Sequence, residues 1–180
     1  MSNCGYCNKE VTNDDFLNCL LCSKHVHISC LKRRPIGMVL GDVFYQFKCH
    51  KCNTTKIEDY KRKKISWVMA IVITLHNLSI QSQGLSHYGY FHFKTHIAYF
   101  LDKNWTTIFG CVNNKKRKRW IGTVGGILSL HSPDIFVSGT ESIDTPGWWK
   151  LSNKWTPRKY HIYCKFESTF KFSEKLIRLF

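Results

Sequence analysis

Eight of the first 52 residues fall into four pairs, each with two residues between its members: Cys4 and Cys7, Cys19 and Cys22, His27 and Cys30, Cys49 and Cys52. That separation lets a tight turn bring two side chains to one tetrahedral ion, and cysteine and histidine are the ligands zinc prefers. The set therefore predicts two zinc ions held by a module of about fifty residues. A disulfide framework is the competing account, but nine cysteines is an odd number and no secretory signal is read. Seven cysteines go to zinc, leaving Cys111 and Cys164 as ordinary thiols, which suits a reducing compartment. So small a module buries little apolar surface, and metal is expected to supply most of its folding free energy, roughly 10–16 kcal/mol in zinc-finger peptides.

The ligand order, four cysteines, one histidine and three cysteines, with four residues between Cys22 and His27, resembles a PHD finger. The resemblance implies that pairs one and three share one ion and pairs two and four the other. Site one is then Cys4, Cys7, His27 and Cys30, and site two is Cys19, Cys22, Cys49 and Cys52. A RING-type ubiquitin ligase, also cross-braced by two zincs, is the alternative. It usually places its histidine fourth, whereas His27 is the fifth ligand here.

Charge divides the chain unevenly. Residues 1–53 hold 7 Lys/Arg against 4 Asp/Glu, and residues 54–180 hold 20 against 8. Such an excess points to a polyanion, most simply nucleic acid, ahead of an acidic protein or a membrane surface. Between Ile65 and Phe93 there is no charged residue, but the solidly apolar part, Trp67–Leu75, is nine residues long. A spanning helix needs about 20, so the segment predicts a buried core helix and no membrane partner.

Ile65–Ser79 carries many β-branched residues, yet its length and the spacing of Trp67, Ile71, Leu75 and Leu78 predict a helix. A turn region at Gly84–Gly89 follows. Phe93, Ile97, Phe100, Leu101 and Trp105 then recur at helical spacing, predicting a second helix. Trp120–Leu130 predicts a third, although Gly122, Gly125 and Gly126 each cost about 1 kcal/mol relative to alanine. Asp134–Ser138 and Trp148–Leu151 read as strands joined by a long polar loop. If Trp148–Leu151 is a strand, one of Trp148 and Trp149 must face away from the core. Three helices and a β-hairpin are the order of a winged-helix domain, whose third helix normally enters the major groove. The run Lys115, Lys116, Arg117, Lys118 and Arg119 would meet phosphates just ahead of that helix, with Trp120 orienting it. A solvated loop or a nuclear-import signal is the plainer account of the run.

Longer stretches narrow this further. Gly41-Asp-Val-Phe-Tyr-Gln-Phe-Lys-Cys49, Tyr88-Gly-Tyr-Phe91, Phe100-Leu-Asp-Lys-Asn-Trp105 and Pro146-Gly-Trp-Trp-Lys-Leu151 are four of them. With the spaced motif from Trp120 to Gly139, they resemble the N-terminal region of the cysteine-rich-protein-2-binding protein family, also called lysine acetyltransferase 14. The resemblance runs from about residue 40 to residue 152. It implies a nuclear, chromatin-associated protein linked to the ATAC histone acetyltransferase complex. The family's acetyltransferase domain lies farther along its chain, and no coenzyme A loop is found in these 180 residues.

The expected architecture is α+β. A PHD-like finger occupies 1–56, a basic linker 57–64, a winged-helix domain 65–155 and a basic extension 156–180. The expected role is a nuclear, non-enzymatic adaptor that binds DNA mainly through phosphates, with subunits of a chromatin or acetyltransferase complex as further partners. A trimethyl-lysine cage is poorly equipped, because His25 and Phe47 stand where cage or packing tryptophans are common in the PHD family. Asp14 and Asp15, ahead of the third ligand, are the candidates for contact with a histone tail. Bracing of the adjacent domain is the plainer role for the finger.

Overall fold

The computed structural model describes residues 2–11, 15–111 and 120–165. The finger is built on two antiparallel ladders. Strand β1 (Phe16–Asn18) pairs with β2 (His25–His27), and β3 (Tyr45–Lys48) pairs with β4 (Asp59–Arg62). Leu17, Val26 and Phe47 are buried between the ladders, with the Phe47 ring stacked on Tyr60 at 5.3 Å. Residues 57–64, read from sequence as a basic linker, thus contain a paired strand. Its lysine and arginine content masks a two-residue alternation in which Tyr60 and Arg62 are half-buried while Asp59 and Lys61 are exposed.

Helix α1 (Trp67–Gln81) runs through the middle of the second module. The Ser66 hydroxyl caps it by accepting the Met69 N–H at 3.2 Å. Met69 to Leu75, with Asn77 and Leu78, are all buried, so the helix is enclosed on nearly every side. That enclosure accounts for the absence of charge along the segment. Among the described residues, no helix is long and apolar enough to cross a membrane.

The predicted second helix divides. Residues Phe93–Ala98 form wide π-type turns, continued by α2 (Tyr99–Lys103), and α3 (Trp105–Phe109) follows a break at Asn104. The His96 ring nitrogen accepts the His92 N–H at 3.0 Å, and the Asn104 amide donates to the Phe100 carbonyl at 2.9 Å. These side chains compete with regular winding at both ends of the segment. Helix α4 (Trp120–Leu130) forms despite its glycines because Trp120, Val124 and Leu128 bury one stripe.

Strands β5 (Phe91–His92), β6 (Phe136–Ser138) and β7 (Trp148–Leu151) make a sheet of order β5-β7-β6. Two-residue β5 is too short for a periodic signal, so the sequence showed only the β6–β7 pair. The connection between them is not simply a polar loop, since it contains helix α5 (Gly139–Ile143), capped by Ser138. Within β7, Trp149 packs on the core and Trp148 lies among the rings of His87, His92 and His96 at 5.5–5.7 Å. After β7, residues 157–165 form helix α6. Pro157 and Tyr160 on it are buried.

The two modules share one continuous core, from Cys4 and Leu17 in the finger to Phe136 and Tyr160. Polar contacts reinforce the seam. Buried Asn77 of α1 accepts the Leu40 N–H and donates to the Leu40 carbonyl, both at 2.9 Å. Arg62 meets buried Asp42 at 2.5 and 2.6 Å and donates to the Ile108 carbonyl at the end of α3. Gly41 has φ of +67°, and a side chain there would come within 3.0 Å of both His76 and Pro157. The left-handed conformation and the close approach of two helices both call for glycine.

Candidate functional site

Two hairpins position the metal ligands. The turn at 4–7 and the β2–3₁₀ segment His25–Cys30 bring Cys4, Cys7, His27 and Cys30 together. The turn at 19–22 and the end of β3 bring Cys19, Cys22, Cys49 and Cys52 together. Within each group, the ligand atoms lie within 4.8 Å of one another. Cys7 Sγ to His27 Nδ1 is 3.5 Å, Cys30 Sγ to His27 Nδ1 is 3.7 Å, and Cys22 Sγ to Cys49 Sγ is 3.9 Å. A zinc tetrahedron with Zn–S bonds of about 2.3 Å has edges of roughly 3.8 Å. These separations therefore fit the edges of a filled coordination sphere. The grouping is the one implied by the PHD resemblance.

The surroundings tune the ligands. His27 Nε2 lies 3.2 Å from the Glu10 carbonyl, so an Nε2–H donor there leaves the Nδ1 lone pair facing the metal. The His27 N–H donates to Cys4 Sγ at 3.5 Å and the Cys49 N–H to Cys19 Sγ at 3.4 Å. Burial raises the Cys4 and Cys19 thiols, but backbone donors outweigh it and bring both down to about 6. Cys30 moves the other way, up to about 11, through burial and then the neighbouring Cys7 and Cys4. Cys52 is pushed up to about 12, chiefly by Cys22 and Cys49. Three sulfurs in one cluster and four in the other, so close together, cannot all ionise without a cation among them, and a dication supplies that charge. The two clusters fit two zinc ions.

Asp15, one tail-contact candidate, sits immediately before β1. Its carboxylate is partly buried and its Oδ1 has no hydrogen-bond partner. Burial raises its carboxyl, with Arg34, Arg158 and His76 opposing. Asp14 and the basic run Lys115–Arg119 lie outside the described residues. That run joins α3 to α4. At the start of α4, Trp120 packs against Trp67 at 6.2 Å and Trp105 at 5.3 Å. The exposed positions of α4 are Gly122, Thr123, Gly126, Ser129 and Leu130, none of them a long polar side chain. The connection between β6 and β7 carries Glu141 and Asp144 and no lysine or arginine.

Three features escaped the sequence reading: the Asn77 clamp, the Asp42–Arg62 pair, and Arg158 of α6. The Arg158 guanidinium lies 3.6 Å over the Phe16 ring and donates to the Phe16 carbonyl. Its only sequence signal was membership of a basic C-terminal stretch.

Two cross-braced Cys/His clusters fused to a winged helix define a PHD-finger–winged-helix tandem. The solved structure of the PHD2 and winged-helix domain of Polycomblike has this fold. It superposes with a TM-score of 0.67 at 25% identity, covering 87% of this chain and 81% of that one. The likeness to the cysteine-rich-protein-2-binding proteins extends well beyond the finger. The chain is 37% identical over 139 residues to Cysteine-rich protein 2-binding protein of Homo sapiens, and equally to that of Mus musculus. These matches cover 77% of this chain and 17% of each relative, which fits one region of a much longer protein. Polycomb protein Pcl of Drosophila melanogaster is 35% identical over 74 residues, 41% of this chain. No family model matches.

Proposed function

We propose that the chain acts in the nucleus as a non-enzymatic, chromatin-associated adaptor. Its winged helix binds DNA through the phosphate backbone, and its finger braces that domain. The observation that carries the reading is the position of the basic run. Lys115, Lys116, Arg117, Lys118 and Arg119 immediately precede α4, the third helix of the winged helix. Helix α4 offers no long polar side chain to read base edges, and the β6–β7 connection is acidic. Contacts through the run would therefore fix position on the duplex and carry little sequence information. The similarity to cysteine-rich-protein-2-binding proteins and Polycomb protein Pcl supports a chromatin setting, with subunits of an acetyltransferase complex as partners. Asp14 and Asp15 are proposed for tail contact.

The test is fluorescence anisotropy of a labelled random-sequence duplex across a salt series, with wild type and a variant carrying Gln at 115–119. Each lost phosphate contact lowers the slope of log K against log salt by about 0.9. Loss of several contacts supports the reading, and an unchanged slope removes the run from it. The acidic β6–β7 connection favours a second reading, a scaffold that contacts proteins only. Absence of wild-type binding at low salt would select it.

A further inference from the structure

Tyr88 is a large side chain at a position where the fold favours a small one. The His87 N–H donates to the Tyr90 carbonyl and the Tyr90 N–H to the His87 carbonyl, both at 3.0 Å. Tyr88 and Gly89 are therefore the two central residues of a hairpin turn, and both take positive φ, +50° and +80°. Such turns favour asparagine or aspartate before glycine, and the left-handed conformation is costly for a bulky residue. The ring gains little burial in return: Tyr88 is 80% exposed and meets His87 edge-on at 4.7 Å. Neither turn geometry nor core packing accounts for a tyrosine here, and strain kept at an exposed tip points to a surface role.

The turn borders a groove. Tyr88 and Gly89 line a cavity of about 300 Å³ together with His76 and Ser79 of α1, Lys150 of β7 and Trp155. The Lys150 ammonium lies 4.4 Å over the ring of buried Tyr90, and no aspartate or glutamate is among the described residues lining this cavity. Trp155 also lines a second cavity, of about 330 Å³, with Leu130, Tyr163, Asp134 and Lys154. There Leu130 is 77% exposed and Tyr163 42%. The Trp155 Nε1–H donates to the Asp134 carbonyl at 2.9 Å, which fixes the indole where the two cavities meet. One end of the groove is thus cationic, and the other is apolar with its charges balanced.

This groove lies at the end of the winged helix away from the basic run. Leu151, which also lines it, pairs with Phe136 at the start of β6, whereas the β6–β7 connection leaves the other end of that ladder at Ser138. Leu130 ends α4, about 16 Å along the 11-residue helix from Trp120. We propose that the groove docks an acidic, partly apolar peptide segment of a protein partner. A carboxylate of the segment meets Lys150 beside Tyr88, and an apolar side chain packs on Trp155, Leu130 and Tyr163. One fixed cation suits a carboxylate and is too few for a phosphate backbone, while an exposed leucine and tyrosine suit an apolar side chain. The inference extends the adaptor reading by giving the chain an end for a protein, and it stands whether or not the run at 115–119 binds DNA.

The experiment uses the full zinc-loaded chain and a labelled peptide of glutamate and aspartate interspersed with leucine and phenylalanine, read by anisotropy at physiological salt. Tyr88→Asn removes the ring, keeps the net charge and suits the left-handed turn. Lys150→Gln removes the groove's cation, and Lys9→Gln removes the same charge from an exposed position on the finger. Tyr88→Asn and Lys150→Gln are each expected to weaken binding about tenfold, and Lys9→Gln to leave it unchanged. Relief of strain means that Tyr88→Asn melts no lower than wild type, so its lost binding is not lost folding. The variant with Gln at 115–119 keeps peptide binding, and excess unlabelled random-sequence duplex does not displace the peptide, so the groove and the DNA reading succeed or fail separately. No binding by wild type, undiminished binding by Tyr88→Asn, or displacement by the duplex overturns the proposal. So does binding by a chain ending at Lys165 that the full chain lacks, which would make residues 166–180 the occupant.

Discussion

At the scale of single residues, the seam between finger and winged helix depends on a few buried polar side chains. Asp42 is fully buried, and Arg62 is its ion-pair partner as well as the donor to the Ile108 carbonyl. Truncating one member of such a pair strands the other, typically at about 3–5 kcal/mol. Burial already raises the Asp42 carboxyl against the pull of Arg62. Once the arginine is gone, Asp42 can take up a proton and escape part of that cost. Arg62→Ala is therefore expected near the low end, lowering the melting temperature by roughly 6–12 °C at neutral pH. The deficit should shrink as pH falls toward the raised carboxyl pKa, where the stranded group is protonated in the folded protein. Thermal melts at several pH values check both statements, and a deficit that grows on acidification would mean that Asp42 is not the source. The zinc ligands were legible from sequence because their chemistry is local, two residues between members of each pair. The clamps were not. Asn77 meets Leu40 across 37 residues and Arg158 meets Phe16 across 142, with no local pattern to announce either.

At the scale of elements, helix α6 carries a titratable handle. His161 is held down to about 4, first by burial and then by Lys165, Lys63 and Arg158, against an ordinary value of 6.5. The folded protein thus prefers neutral His161, and the unfolded chain binds the extra proton between the two values. Its contribution to stability is complete above pH 6.5 and is lost as pH falls from there toward 4. His161→Phe keeps a ring against Phe44 and removes the proton site. Relative to wild type, the variant is expected to gain stability steadily on acidification from pH 7 to 5, measured by denaturant unfolding with zinc in excess. A constant difference across that range would show that α6 is indifferent to His161. Protonation of the thiolates weakens zinc in both proteins, so the difference between them isolates the histidine. Element prediction followed the strength of each periodic signal. Helix α1 was visible chiefly from its length, and α4 because its buried Trp120, Val124 and Leu128 recur at helical spacing through the glycines. The second helix broke where His96 and Asn104 divert backbone hydrogen bonds, and β4 was hidden because its inward positions include an arginine.

At the scale of the whole molecule, the shared core turns metal binding into a property of both modules. Zinc supplies roughly 10–16 kcal/mol in isolated finger peptides, comparable to or above the 5–15 kcal/mol net stability of a typical domain. Removing it should unfold the finger outright. The winged helix would then lose the Leu40 partner of buried Asn77, the Arg62 donor to the Ile108 carbonyl, and the packing of Val43 and Phe44 onto the common core. Helix α1, sheathed by both modules, would be left with buried polar groups unpaired and an apolar face in water. Chelation is therefore expected to collapse the amide protection of Ala70–Leu75, 18 residues and more beyond the last zinc ligand, Cys52, in the same step that frees the metal. Hydrogen exchange followed by mass spectrometry, with and without a strong chelator, reads this directly. The fluorescence of Trp67, Trp105 and Trp120, which pack together at the first turn of α1, provides a second report. If α1 stays protected and the tryptophans unchanged after both zincs leave, the winged helix folds alone and the finger is an appendage. If they change together, the finger is part of the winged helix's own core, and any surface the chain presents to DNA or to a peptide exists only in the metal-loaded protein.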